Sequence, residues 1–362
     1  MAGESESPAG RSSAGDGAEE SRSSAGAGLR LVQVGLSLVL LALLAWVVDV
    51  RAALASLSKA HPAWLFAALC AVVADRLLMA FKWIPLLEAQ TRSIPRFAAV
   101  RAYFASGFAA VFLPPSVGAD VLRSVALGRG RALVAEVAAS VAVDRVLGLL
   151  ACGLMSALAL ALALRAAAPL GALLPVVLAS TVISLAVALL PLSRHFQAIG
   201  GSLAGGRFGD RLTRFLGRFA VGYGRYRNHL PTLVGVGALS LLEQCLPVAS
   251  VWLVARALHV PVGIEALLIV IPPLAFFSRL PISVAGLGVV EGGLVYLLRP
   301  FGVAPEEALA IALASRVLDI LSFAPGAFAW RDLAGTAPTP GAVAPVKPPH
   351  PARRPAGREP EA

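Results

Sequence analysis

The sequence has few charged residues, few cysteines and almost no lysine. Asp, Glu, Lys and Arg make up only 14% of its 362 residues, whereas soluble domains have about a quarter. The three cysteines, Cys70, Cys152 and Cys245, lie far apart in apolar segments, so we predict neither a disulfide framework nor a zinc site. The sequence contains no Walker loop, GxSxG or HExxH motif and no Ser-His-Asp set. We therefore predict that the protein is not an enzyme and has no cofactor or metal.

Hydrophobic residues dominate the composition of the chain. They make up 57% of the chain and form runs long enough to cross a bilayer. The formal net charge is +10, and arginine supplies almost all of the positive charge. In a membrane protein, such an excess is explained better by the enrichment of cytoplasmic segments in Lys and Arg than by nucleic-acid binding. The composition predicts an all-α polytopic membrane protein and no nucleic-acid partner.

Hydropathy divides the chain into tails, spans and broken segments. Residues 1–28 and 331–362 are Ser-, Gly- or Pro-rich and are predicted to be disordered, which leaves a transmembrane domain at 29–330. Within it, two apolar segments contain a Pro/Gly break and are predicted to form re-entrant hairpins; crossing hairpins would raise the span count. The six predicted full spans cover about 31–48, 63–81, 133–164, 169–192, 232–257 and 305–330.

The two broken segments belong to a short internal repeat, with halves at about 98–164 and 264–330. The first copy contains Leu-Pro-Pro-Ser-Val-Gly from Leu113, and the second contains Leu-Pro-Ile-Ser-Val-Ala-Gly from Leu280. Each copy continues into an apolar segment with an arginine nine residues after a glutamate, at Arg145 and at Arg316. Matching breaks in two halves indicate a transporter-type binding site, and three intervening spans would make the repeat inverted.

The distribution of cations predicts the topology. With the amino terminus inside and re-entrant hairpins, most Lys and Arg residues fall on the cytoplasmic side, including those of the Arg-rich loop 193–230. Both termini are therefore predicted to be cytoplasmic. Between Arg211 and Tyr226, arginines alternate with Leu and Phe at helical spacing, which predicts an amphipathic helix on the membrane surface.

Ionisable residues are unusually numerous inside the apolar segments. Such charges cost several kcal/mol unless they pair or line a wet cavity. Guanidinium groups such as those of Arg123, Arg145 and Arg316 offer fork-shaped donors to a phosphate. An equally compatible alternative is that Asp144 with Arg145, and Glu291 with Arg316, form structural ion pairs between helices. Asp75 and Arg76 are adjacent on a helix, so we expect each to have a different partner.

At these residues the chain resembles the lysylphosphatidylglycerol synthase transmembrane-region family, a flippase-like membrane domain. The resemblance covers about residues 30–330. It rests on Phe81-Lys82-Trp83, the block from Leu113 to Arg123, Asp144-Arg145, and the block from Leu280 to Glu291 with Arg316 after it. Lys82 stands where the family often has arginine.

The resemblance implies a multispan protein of the bacterial inner membrane that handles a phospholipid or another amphiphilic anionic lipid. It implies translocation without lysyl transfer, because no segment is left for an aminoacyl-transferase domain. The alternative is a non-transporting membrane partner of a lipid-modifying or glycosyl-transferring enzyme. The candidate lipid-binding residues are Lys82, Pro114, Gly118, Asp120, Arg123, Asp144, Arg145, Pro281, Ser283, Gly286, Gly288, Glu291 and Arg316. Among these, Asp144 and Glu291 are expected to orient the arginines.

Overall fold

The computed structural model describes residues 35–36, 38–112, 117–128, 132–165, 171, 173–189, 218–219, 221–279 and 286–329. Throughout these ranges the chain is all-α, as predicted, and it contains no strand. The helices are α1 (Leu38–Val47), α2 (Val50–Ser58), α3 (Pro62–Gln90), α4 (Arg96–Phe112), α5 (Val117–Gly128), α6 (Val134–Arg165), α7 (Leu173–Leu189), α8 (Leu230–Glu243), α9 (Cys245–Ala257), α10 (Ile264–Arg279), α11 (Val289–Leu298) and α12 (Pro305–Ser322).

Four helical segments are long and apolar enough to cross a membrane. They are α3, α6, the nearly continuous pair α8 and α9, and α12 with its extension to Ala329. A fifth span is possible if α1 and α2 are counted together, but these two helices are bent by 83°. The described part of the apolar helix α7 is shorter than these four segments. The polytopic membrane architecture therefore agrees with the prediction, while the total of six full spans stays a prediction.

The bend between α1 and α2 has a local cause. Asp49 is an extended N-cap whose Oδ1 accepts hydrogen bonds from the backbone N–H groups of Arg51 at 2.9 Å and Ala52 at 3.1 Å. A capped N-terminus begins a new helix rather than continuing the previous one. The predicted first span, 31–48, thus ends where this cap begins.

Both predicted hairpins have two helical arms in the structure. Helix α4 packs against α5, and α10 packs against α11. The connecting residues 113–116 and 280–285, which contain Pro114, Pro281 and Ser283, lie outside the described residues. Whether the arms re-enter or cross therefore stays a prediction. The same holds for the disorder of the two tails and for most of the Arg-rich loop.

The two halves share an element order. Helix α12 begins at Pro305, 171 residues after α6 begins at Val134, and α11 and α5 precede them at similar positions. In each half, the helix after the break carries a carboxylate that pairs with an arginine 25 residues later, as Asp120–Arg145 and Glu291–Arg316. This correspondence supports the predicted repeat; its inversion across the membrane stays a prediction.

Candidate functional site

A cavity of about 420 Å³ lies between two groups of helices, α3 to α6 and α8 to α12. Residues of α3 to α6 form one part of its wall, and residues of α8 to α12 form the rest. Apolar side chains such as Val72, Ile271 and Phe323 line part of the cavity. The charged lining residues are Asp75, Arg76, Lys82, Asp120, Arg123, Asp144, Arg145, Glu243, Arg279, Arg316 and Asp319.

At one part of the wall, Asp120 bridges two arginines. Its Oδ2 accepts a hydrogen bond from Nε of Arg145 at 2.7 Å, and its Oδ1 accepts one from the other arm of that guanidinium at 3.1 Å. Arg123 approaches the same carboxylate at 3.0 Å and Asp144 at 3.6 Å. The two-pronged contact that we expected a guanidinium to make with a phosphate is therefore made here with the carboxylate of Asp120.

Arg123 is also held by aromatic rings. Its guanidinium lies 4.6 Å from the ring centroid of Trp83 and 5.7 Å from that of Tyr103. Cation–π contacts of this kind are strongest where water is excluded. The Trp83 indole N–H in turn donates to Ser140 at 3.1 Å, which fixes the ring beneath the arginine.

Lys82 connects the residues around Asp144 to Glu243 of α8. Its ammonium group lies 3.8 Å from Asp144 and donates to Ser240 at 3.0 Å and to Glu243. Arg279 donates to the other oxygen of Glu243 at 2.9 Å. Both Lys82 and Glu243 are almost fully buried, so each depends on the other for charge compensation.

A separate group of three side chains lies on the same cavity. Arg76 pairs with Asp75 at 3.0 Å and with Asp319 of α12 at 2.9 Å. The prediction that Asp75 and Arg76 would have different partners was wrong in part, because they also pair with each other. The long guanidinium side chain reaches back to its neighbour, which spacing on the helix surface alone does not reveal.

Arg316 and Glu291 form the pair expected from the sequence. Nε and one terminal nitrogen of Arg316 lie 3.1 Å and 2.8 Å from Oε1 of Glu291. The second oxygen of Glu291 accepts the backbone N–H of Gly288 at 2.8 Å. Glu291 thus orients Arg316, which lines the cavity, while being fixed itself by the start of α11.

The structure brings six of the thirteen candidate residues to the cavity wall: Lys82, Asp120, Arg123, Asp144, Arg145 and Arg316. Glu291 is not among the lining residues but accepts hydrogen bonds from Arg316, which is. Gly118, Gly286 and Gly288 are not among the lining residues, and Pro114, Pro281 and Ser283 lie outside the described residues.

Sequence reasoning did not assign five charged lining residues to the site, namely Asp75, Arg76, Glu243, Arg279 and Asp319. Each was recognisable as a charge within an apolar segment. Their convergence required knowing how α3, α8, α10 and α12 pack.

The family model of the lysylphosphatidylglycerol synthase TM region matches residues 30–326. The chain belongs to this family. A comparison with curated protein sequences found no match. Membership of the lysylphosphatidylglycerol synthase TM region family, together with the apolar helices, makes the chain an integral membrane protein of a lipid-related family. The matched region contains the whole cavity wall.

Proposed function

We propose that the protein is a flippase-like transporter that moves a phosphate-bearing amphiphilic lipid across the membrane through the central cavity. The observation that carries the proposal is the cavity itself, which combines six cationic side chains with apolar wall residues inside a helical membrane protein. A volume of about 420 Å³ lies within the range of small-molecule sites. A lipid headgroup needs such a polar path, since its charge is costly to move through hydrocarbon.

The arginines supply the chemistry for the phosphate. Arg145 presents two N–H groups to Asp120 in the geometry that also suits a phosphate. An entering phosphate would accept hydrogen bonds from the same guanidinium groups alongside the Asp120 carboxylate, so neither the arginines nor Asp120 would become unpaired. The carboxylate partners of the arginines limit the net charge while the cavity is empty.

The proposed setting is the bacterial inner membrane, with both termini in the cytoplasm. The proposed action is translocation of the lipid, with no chemical change to it. An inverted repeat, as predicted from the sequence, would allow alternating access, because two similar halves can rock against one another around a site between them.

The test is lipid translocation in liposomes by the full chain and by Arg123→Lys, Arg145→Lys and Arg316→Lys. Lysine keeps the charge but loses the planar fork, so we expect translocation to fall about tenfold in variants that lose a two-pronged contact. The matched control is Arg96→Lys, because Arg96 also makes a two-pronged contact, with Glu88 at 2.6 and 3.3 Å, but is 75% exposed and outside the cavity wall.

Melting temperatures measured on the same samples separate transport from folding. Normal translocation in all three cavity variants would defeat the binding role of the arginines, and losses that only follow lost stability would make their role structural. If the wild-type chain moves no lipid but increases the activity of a co-purified lipid-modifying or glycosyl-transferring enzyme, the non-transporting partner role is correct instead.

A further inference from the structure

The charged side chains around the cavity form two ion-pair networks of opposite net charge. In the larger network, ion pairs connect four cations, Arg145, Arg123, Lys82 and Arg279, through only three carboxylates, Asp120, Asp144 and Glu243. Its formal net charge is therefore +1. In the smaller network, Asp75 and Asp319 share the single cation Arg76, and its formal net charge is −1.

The remaining lining cation does not change this balance. Arg316 is paired with Glu291, so that pair is neutral. The described residues of the cavity wall, with Glu291, are therefore formally neutral in sum, with a positive pole at the larger network and a negative pole at the smaller one. A ligand with a net charge would leave one charge uncompensated beside largely buried ion pairs, which is costly.

Details of the smaller network show that its negative charge is incompletely satisfied. Asp75 is only 5% exposed and lines the cavity, and its Oδ1 accepts no hydrogen bond from the described residues. Its neighbour Asp319 is 46% exposed at the side chain and lines the same cavity. A buried acceptor without a donor is unusual, and an ammonium group that reaches Asp319 would compensate both carboxylates.

The larger network has a buried donor that is not used. Arg123 is 3% exposed and lines the cavity, and its Nε donates no hydrogen bond to the described residues. Arg76 Nε and Asp144 Oδ1 also lack a hydrogen-bond partner there, so it is the opposite net charges, and not the unsatisfied atoms, that distinguish the two networks. A phosphate at this pole would meet surplus positive charge and an unused donor. A single ligand that contacts both poles would therefore be bound best if it carried a negative and a positive charge.

We propose that the headgroup carried by this cavity is zwitterionic, with a primary ammonium group at Asp75 and Asp319 and a phosphodiester at the Arg123 and Lys82 pole. The inference rests on the lipid transport proposed above and narrows its substrate to net-neutral aminophospholipids. The anionic group expected from the sequence is then the phosphodiester, whose charge the ligand's own amine balances.

The test is competitive lipid binding to the full chain, measured by native mass spectrometry with equimolar phosphatidylethanolamine and phosphatidylglycerol. A second competition replaces phosphatidylglycerol with N-acetyl phosphatidylethanolamine, which keeps the phosphodiester and lacks the cation. We expect phosphatidylethanolamine to be preferred about fivefold in both, the effect of one partly exposed ion pair. Equal binding, or preference for either anionic lipid, would overturn the inference.

The variant Asp319→Asn assigns the preference to the smaller network. It neutralises the half-exposed carboxylate and leaves Asp75 with Arg76, so the preference for phosphatidylethanolamine should disappear. The matched control Glu88→Gln removes a carboxylate from an ion pair outside the cavity wall and should keep the preference. An Asp319→Asn protein that retains the wild-type ratio would refute the ammonium site. Because binding is measured without transport, absent translocation with an intact preference would count against the flippase role alone.

Discussion

Individual charged residues in this protein are buried in pairs whose members depend on one another. Glu243 is 1% exposed and is the shared partner of Lys82 and Arg279. Removing one member of a buried pair leaves an uncompensated charge and costs about 3–5 kcal/mol, whereas the net contribution of the intact pair is small. Substitution of Glu243 should therefore lower the stability of the protein far more than substitution of an exposed acidic residue.

The variant Glu243→Gln should lower the free energy of unfolding by about 3–5 kcal/mol. Lys82 would then keep only Asp144, at 3.8 Å, and Arg279 would have no ion pair left among the described residues. Glu88→Gln is the matched control, since Glu88 pairs with the exposed Arg96, and it should cost less than about 1 kcal/mol. The measurement is thermal unfolding in detergent. Adding Lys82→Met to Glu243→Gln should restore part of the lost stability. Equal melting temperatures for Glu243→Gln and Glu88→Gln would contradict this view of the network.

The sequence identifies which residues are charged and buried but not always how they pair. The predicted ion pair of Glu291 with Arg316 was correct, whereas that of Asp144 with Arg145 was wrong. Asp144 and Arg145 are neighbours in sequence, yet Asp144 lies near Lys82 and Arg123 while Arg145 binds Asp120. Pairings across helices depend on packing angles and on side-chain reach, which neither spacing nor hydropathy contains.

At the scale of helices, the start of α11 shows how a break is stabilised. Gly286 and Gly288 have φ angles of +72° and +80°, a region that side chains with a Cβ rarely adopt. The Gly288 N–H donates to Glu291, so the turn also fixes the carboxylate that orients Arg316. Both glycines were predicted to be lipid-binding residues; in the structure a Cβ at Gly288 would lie 2.5 Å from Cβ of Leu40 in α1.

Gly288→Ala should therefore destabilise the protein by about 1–2 kcal/mol from backbone strain alone, with a further cost from the contact with Leu40. Gly292→Ala is the control within the same helix, because a Cβ there would meet nothing within 4 Å and alanine favours helix. Thermal unfolding should show a lower melting temperature for the first variant and an unchanged or higher one for the second. Equal melting temperatures would contradict the role of this turn.

Hydropathy and the Pro/Gly breaks predicted the helical segments of both hairpins well. They missed the bend between α1 and α2, because a single Asp cap within an apolar run leaves mean hydropathy almost unchanged. Helix α7 was predicted as a full span over 169–192, and the described helix covers Leu173–Leu189. Residues 190–192 lie outside the described residues, so the full length of this span stays a prediction.

At the scale of the whole molecule, two groups of helices, α3 to α6 and α8 to α12, meet through charged contacts around the cavity. Arg76 of α3 binds Asp319 of α12, and Lys82 of α3 binds Glu243 of α8. Arg279 of α10 donates to the Gly148 carbonyl of α6 at 3.3 Å. Contacts of this kind can exchange partners when a charged ligand enters, which links occupancy of the cavity to the relative position of the two groups of helices.

The most direct test of the central claim is to block the cavity chemically and measure lipid translocation. Ser278 lines the cavity, whereas Leu158 is half exposed on α6 and is absent from the cavity wall. In a background with Cys70, Cys152 and Cys245 replaced by alanine and translocation retained, Ser278→Cys and Leu158→Cys are each modified with membrane-permeant N-ethylmaleimide. Modification is verified by mass spectrometry. We predict that translocation stops after modification at position 278 and continues after modification at position 158. Unchanged translocation by protein fully modified at position 278 would contradict a lipid path through this cavity.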